Sequence, residues 1–143
     1  MQQRSPFASR NVVTIPIPGL EGQTATIRAL AGRHLDAARQ ESMRKSLALF
    51  KDMDMAAIKQ VTQVTGAQIA DATAADPLIG YDEATLIQRA VVAWTLGEQP
   101  PTIDDCQDLD EDTKTPLARE VLRWSKPSLF KTVDELEADQ KNG

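Results

Sequence analysis

His34 is the only imidazole in the chain, and a reaction that moves protons near neutral pH would turn on it. No nucleophile or orienting group stands with it at a recognisable spacing, so the side chain reads as solvated or packed at the start of a helix. Cys106 is the only thiol. One histidine and one cysteine cannot supply the tetrahedral nitrogen and sulfur shell of a structural zinc site, and a lone cysteine forms no internal disulfide. The carboxylates on either side of Cys106 disfavour a reactive thiolate.

The densest chemical feature is the run Asp104-Asp105-Cys106-Gln107-Asp108-Leu109-Asp110-Glu111-Asp112, six carboxylates without a basic neighbour. Asp108, Asp110 and Asp112 have the first, third and fifth spacing of a calcium-binding EF-hand loop, but Thr113 stands at the glycine position and Arg119 at the bidentate glutamate position. The pattern fails where the geometry demands most. Acids also gather ahead of a helix because its N-terminus carries partial positive charge, worth about 0.3–1 kcal/mol each, and the run supports that reading better. Asp82 and Glu83 could act as acid and base, yet such pairs are ordinary at solvated helix starts. Phosphate loops, dinucleotide fingerprints, zinc-peptidase helices and nucleophile elbows do not occur in the sequence. The expectation is a protein that is not an enzyme, with no catalytic, cofactor or metal residues to assign, acting on a partner through residues the sequence does not single out. A small metal-dependent hydrolase using the carboxylates of 104–112 is the alternative from another class.

A length of 143 residues with 41% apolar and 26% charged side chains suits one globular domain. Phe7, Phe50, Tyr81, Trp94, Trp124 and Phe130 are the only aromatics, so the core must be mainly aliphatic. Trp94 and Trp124 fall on helical apolar stripes and read as core. Residues 1–60 carry nine Lys and Arg against five Asp and Glu, whereas 61–143 carry seven against sixteen. That acidic second part would repel phosphates, so nucleic acid is not an expected partner. No apolar run approaches the roughly 18–20 residues of a membrane-spanning helix. The polar start lacks the apolar stretch of a secretory signal, which makes the cytoplasm the expected address.

These residues need elements to position them. Residues 1–10 contain a proline and no sustained period, and read as a flexible arm. Val12, Val13, Thr14 and Ile15 make a β-branched strand that Pro16 and Pro18 terminate or confine to an edge. The turn chemistry of 18–22 and the alternation of Thr24, Thr26 and Arg28 with Ala25, Ile27 and Ala29 complete a β-hairpin. Leu35, Ala38, Met43, Leu47 and Phe50 predict a helix over 32–51, and Asp54 caps a second segment reaching Ile69. Asp76-Pro77 breaks the chain. Asp82 opens a helix with Leu86, Ile87, Ala90, Val91 and Trp94 on one face and Gly97 at its C-terminal cap. Thr115-Pro116 should start another helix, bearing Leu117, Val121, Leu122 and Trp124, and Pro127 should end it. Thr132 and Glu135 match a capping box before a short helix and tail in 131–143. The expected fold is mainly α, a helical domain over 11–130 with an N-terminal β-hairpin, α+β in the strict sense.

The hairpin, the run Ile27-Arg28-Ala29-Leu30-Ala31-Gly32-Arg33-His34-Leu35 leading into a charged helix, and the helical remainder resemble tail assembly chaperones of long-tailed bacteriophages and prophages. The resemblance covers residues 12–130. A second echo is Ala93-Trp94-Thr95-Leu96-Gly97, followed by an acidic loop and Leu117-Ala118-Arg119-Glu120-Val121-Leu122-Arg123-Trp124. It implies a protein that binds the long helical tape measure protein, keeps it soluble, and helps the tail tube protein polymerise around it. It also implies work in the bacterial cytoplasm and absence from the mature virion. Many such chaperones are made in two lengths by frameshifting. A structural tail or baseplate component would use the same elements, and self-association stays open.

Overall fold

The computed structural model describes residues 4–49 and 76–130. The helix expected to reach Ile69 and the capped segment of 131–143 lie outside them. The β-branched run forms β1 (Val12–Pro16), which pairs antiparallel with β2 (Thr24–Arg28) from Val12 opposite Arg28 to Pro16 opposite Thr24. The Ile17 amide donates to the Gln23 carbonyl at 2.9 Å and closes the turn. Gly19 and Gly22 hold φ of +80° and +79°, a region that costs a residue with a Cβ about 1–2 kcal/mol. A Cβ on Gly22 would meet nothing within 4 Å, so only the backbone would resist it. Gly22→Ala is therefore expected to lower stability by about 1 kcal/mol in urea unfolding.

The alternation expected for the second strand is present. Ala25 and Ile27 are buried, while Thr24, Thr26 and Arg28 are half-exposed. Thr14 and Thr26 share a hydroxyl hydrogen bond of 2.8 Å on the outer face. The hairpin does not stand alone, because β3 (Val91–Trp94) adds to β2, giving the antiparallel order β1-β2-β3 with an irregularity between Thr26 and Ile27. This corrects the expected helix from Asp82 to Gly97. Val91 and Trp94 continue the helical stripe of Leu86, Ile87 and Ala90, but β2 offers unpaired backbone groups and Val91-Val92 is β-branched. Pairing with β2 outweighs local periodicity there.

Helix α1 (Gly32–Ala48) buries only Leu35 and Ala38. α2 (Glu83–Ala90) begins as expected: the Asp82 carboxylate accepts from the Thr85 amide at 3.1 Å and from its hydroxyl at 2.6 Å. Lys45 of α1 donates to the same carboxylate at 2.7 Å. Burial alone would raise the Asp82 pKa, but the bonds from Lys45 and Thr85 together hold it below the ordinary 3.8. α3 (Ile103–Asp108) is short, with Thr102 and Asp105 forming a reciprocal capping box.

α4 (Glu111–Ser125) places Leu117, Ala118, Val121 and Leu122 in the core, packed against α2 and reaching β2. Its start corrects a second expectation. The N-cap is Asp110, so Pro116 lies inside the helix and not at its first position. Glu111 and Asp112 complement the N-terminal partial charge and Thr113 is buried, which favours the extra turn ahead of the proline. Trp94 and Trp124 are half-buried against the core, Trp94 from a strand instead of a helix. The Trp124 indole donates to the Asn11 carbonyl at 2.8 Å. Within the stretch expected as an arm, Arg4 lies 4.3 Å over the Trp124 ring and donates to the Trp124 carbonyl at 2.9 Å. The chain has a mainly helical α+β fold in which sheet and helices share one core.

Candidate functional site

The first turn of α1 carries His34, which does not stand alone as the sequence suggested. Its Nδ1 lies 3.0 Å from Arg89 Nη1, at the end of α2, and its Nε2 lies 3.4 Å from Arg33 Nε. Arg28, at the end of β2, donates from Nε to the Arg89 carbonyl at 2.9 Å. Burial, then the charges of Arg28, Arg89 and Arg33, hold the His34 pKa below 6.5. Three elements thus bring three guanidinium groups around one imidazole. No spacing in the sequence joins His34 to a partner. The nearby Arg28 and Arg33 were a local signal, whereas Arg89 becomes a neighbour only through the packing of α2 on α1.

Cys106 is fully buried. Burial first and the Asp105 charge second push its pKa up from 9.0 to about 12. The protonated thiol is the form the fold favours, so its contribution to stability is complete below about pH 9 and is lost as pH rises towards 12. Above pH 9 this one group should cost about 1.4 kcal/mol per pH unit, a slope that Cys106→Ala should remove in urea titrations between pH 8 and 10.5. An alkylating reagent should label Cys106 at pH 8 only after unfolding.

The acidic run is divided between two helices. Asp104 and Asp105 lie in the first turn of α3, and Glu111 and Asp112 in the first turn of α4. Asp108 ends α3 and Asp110 caps α4, so the calcium-like spacing does not follow one loop. Among the described residues no three of His, Cys, Asp or Glu converge in a way that could hold a metal ion. Asp82 and Glu83 have separate engagements: Asp82 caps α2, and Glu83 accepts from the Thr115 hydroxyl at 2.9 Å.

The three most exposed large apolar side chains among the described residues lie on α1 and just beyond its end. Met43 and Leu47 are 65% and 62% exposed, and Leu49 just beyond is 78% exposed. The sequence placed Met43 and Leu47 on the same stripe as Leu35 and Ala38, and the structure corrects this. The step from Ala38 to Met43 is five residues, which turns a helix about 140° past a full circle and carries the stripe off the core face. A groove lined by Lys45, Leu49, Asp82, Glu83, Gln107 and Lys114 runs where α1 meets the starts of α2 and α4. Among the described residues one edge of β1 has no strand paired to it. Because the Ile17 and Ala29 amides bond across to Gln23 and Asn11, the alternate residues Val12 and Thr14 present their backbone groups outward, while Pro16 has no amide to offer.

No helix among the described residues is long and apolar enough to cross a membrane. Compared with protein-family models, with curated proteins and with solved structures, the chain matches none.

Proposed function

We propose that this chain is a non-enzymatic assembly factor, a phage tail assembly chaperone that binds the tape measure protein and assists tail tube assembly. The observation carrying the proposal is the apolar pair Met43 and Leu47, turned away from the core on an exposed helix face beside Leu49. A long helical partner presents apolar stripes that need cover until the tube closes around it. Two helices laid together bury such side chains at i and i+4 spacing. The resemblance over residues 12–130 supplies the partner, and the acidic second part of the chain would oppose self-association while that surface is open.

Coexpression with the tape measure protein of the same genome provides the test. The complex should co-purify and the tape measure should stay soluble. The double variant Met43→Asp, Leu47→Asp should keep its own stability within about 0.5 kcal/mol, since both positions are exposed, and should lose the complex. An insoluble tape measure with no complex would end the chaperone reading. Mass spectrometry of mature particles separates it from a permanent tail or baseplate component, which would be present in stoichiometric amount. Saturable divalent-metal binding by calorimetry would instead favour the hydrolase.

A further inference from the structure

We infer that Arg28, Arg33, His34 and Arg89 form a binding site for a compact oxyanion, a carboxylate or phosphate group. A guanidinium only donates, and a neutral imidazole accepts at one nitrogen and donates from the other. His34 faces an arginine at both: Arg89 Nη1 at 3.0 Å from Nδ1 and Arg33 Nε at 3.4 Å from Nε2. Only one of these contacts is a hydrogen bond. Whichever ring nitrogen accepts, the other carries the proton, and that N–H faces an arginine N–H with no acceptor between them. Arg89 Nε, buried beside this pair, also has no partner among the described residues.

The charges point the same way. The four ion pairs among the described residues use Arg44, Lys45, Arg119 and Arg123, and none of the three arginines of the cluster. Fixed positive charge therefore collects at one place on a chain whose net charge is −5. The first turn of α1 adds to it, because Ala31 makes no side-chain cap there and a Cβ built on Gly32 meets only open space. A small oxyanion would accept from the ring N–H and from the arginine left facing it at once, and its charge would offset the guanidinium repulsion that, after burial, lowers the His34 pKa. An extended polyanion would also meet the acidic remainder of the chain, so a compact group is the better match.

Because His34 is the only histidine, its ring signals in an NMR spectrum of the full chain give an unambiguous readout. Sodium phosphate and, separately, sodium acetate should be titrated at pH 7 with ionic strength held constant by sodium chloride. At least one of the two anions should shift the ring signals saturably and raise the His34 pKa. Arg33→Gln, at an exposed position, should weaken that response about tenfold with the rest of the spectrum preserved. Response to phosphate alone, to acetate alone or to both supports the site and identifies the preferred group. Shifts no larger than those of chloride, or an Arg33→Gln protein that responds like the parent, would overturn it.

Discussion

Leu86→Ala should cost the fold about 4 kcal/mol, read as a lowered urea midpoint with little change in slope. Leu86 is fully buried on α2, and α2 is the helix that meets α1, α3, α4 and β3. Truncating a buried leucine removes its transfer free energy and leaves a cavity, together about 2–5 kcal/mol, with the upper part expected where the surroundings cannot collapse. Helices on several sides of one residue make collapse difficult. Against a total stability of about 5–15 kcal/mol, this single change consumes a large share. The control is Met43→Ala, 65% exposed, which should stay within about 0.5 kcal/mol. If both variants unfolded alike, the assignment of α2 to the centre of the core would be wrong.

Pro116→Ala should move stability the other way, by about 2 kcal/mol. A proline in a helix interior is about 3 kcal/mol less favourable than alanine, since it removes one amide and its ring crowds the preceding turn. Pro116 is the sixth residue of α4, counted from Glu111, so the missing amide is one the helix would otherwise direct at the Asp112 carbonyl. Alanine restores that donor. The greater freedom of the unfolded alanine chain returns about 0.4–1 kcal/mol, which leaves the net gain stated. A thermal midpoint that fails to rise would mean that α4 starts at Pro116, as the sequence alone suggested.

Local chemistry made the hairpin readable in advance: a β-branched run, a Pro-Gly turn and an alternating second strand are all contained in 12–29. The start of α2 was equally readable, because Asp82 caps it within three residues of Thr85. β3 was not. Val91 and Trp94 satisfy a helical period as well as an extended one, and the choice is made by β2, whose Ile27 pairs with Val91 far along the chain. The start of α4 was misplaced for a related reason: Thr115-Pro116 is a sound local start signal, overridden by the burial of Thr113 one turn earlier. The His34 cluster was legible only in part. Arg33 adjoins His34 in sequence, but Arg89 lies 55 positions away and meets it only once α2 has docked.

Trp124 ties the N-terminal stretch to α4. Arg4 and Asn11 both bond to this residue, and the Leu30 amide donates to Ser125 Oγ at 2.9 Å. The first described residues and the end of α4 are therefore neighbours in space. A flexible linker from residue 130 back to residue 4, with new ends cut in the exposed stretch 96–99, should leave every described strand and helix intact. Such a rearranged chain should fold to the same structure, with its ends relocated beside Trp94.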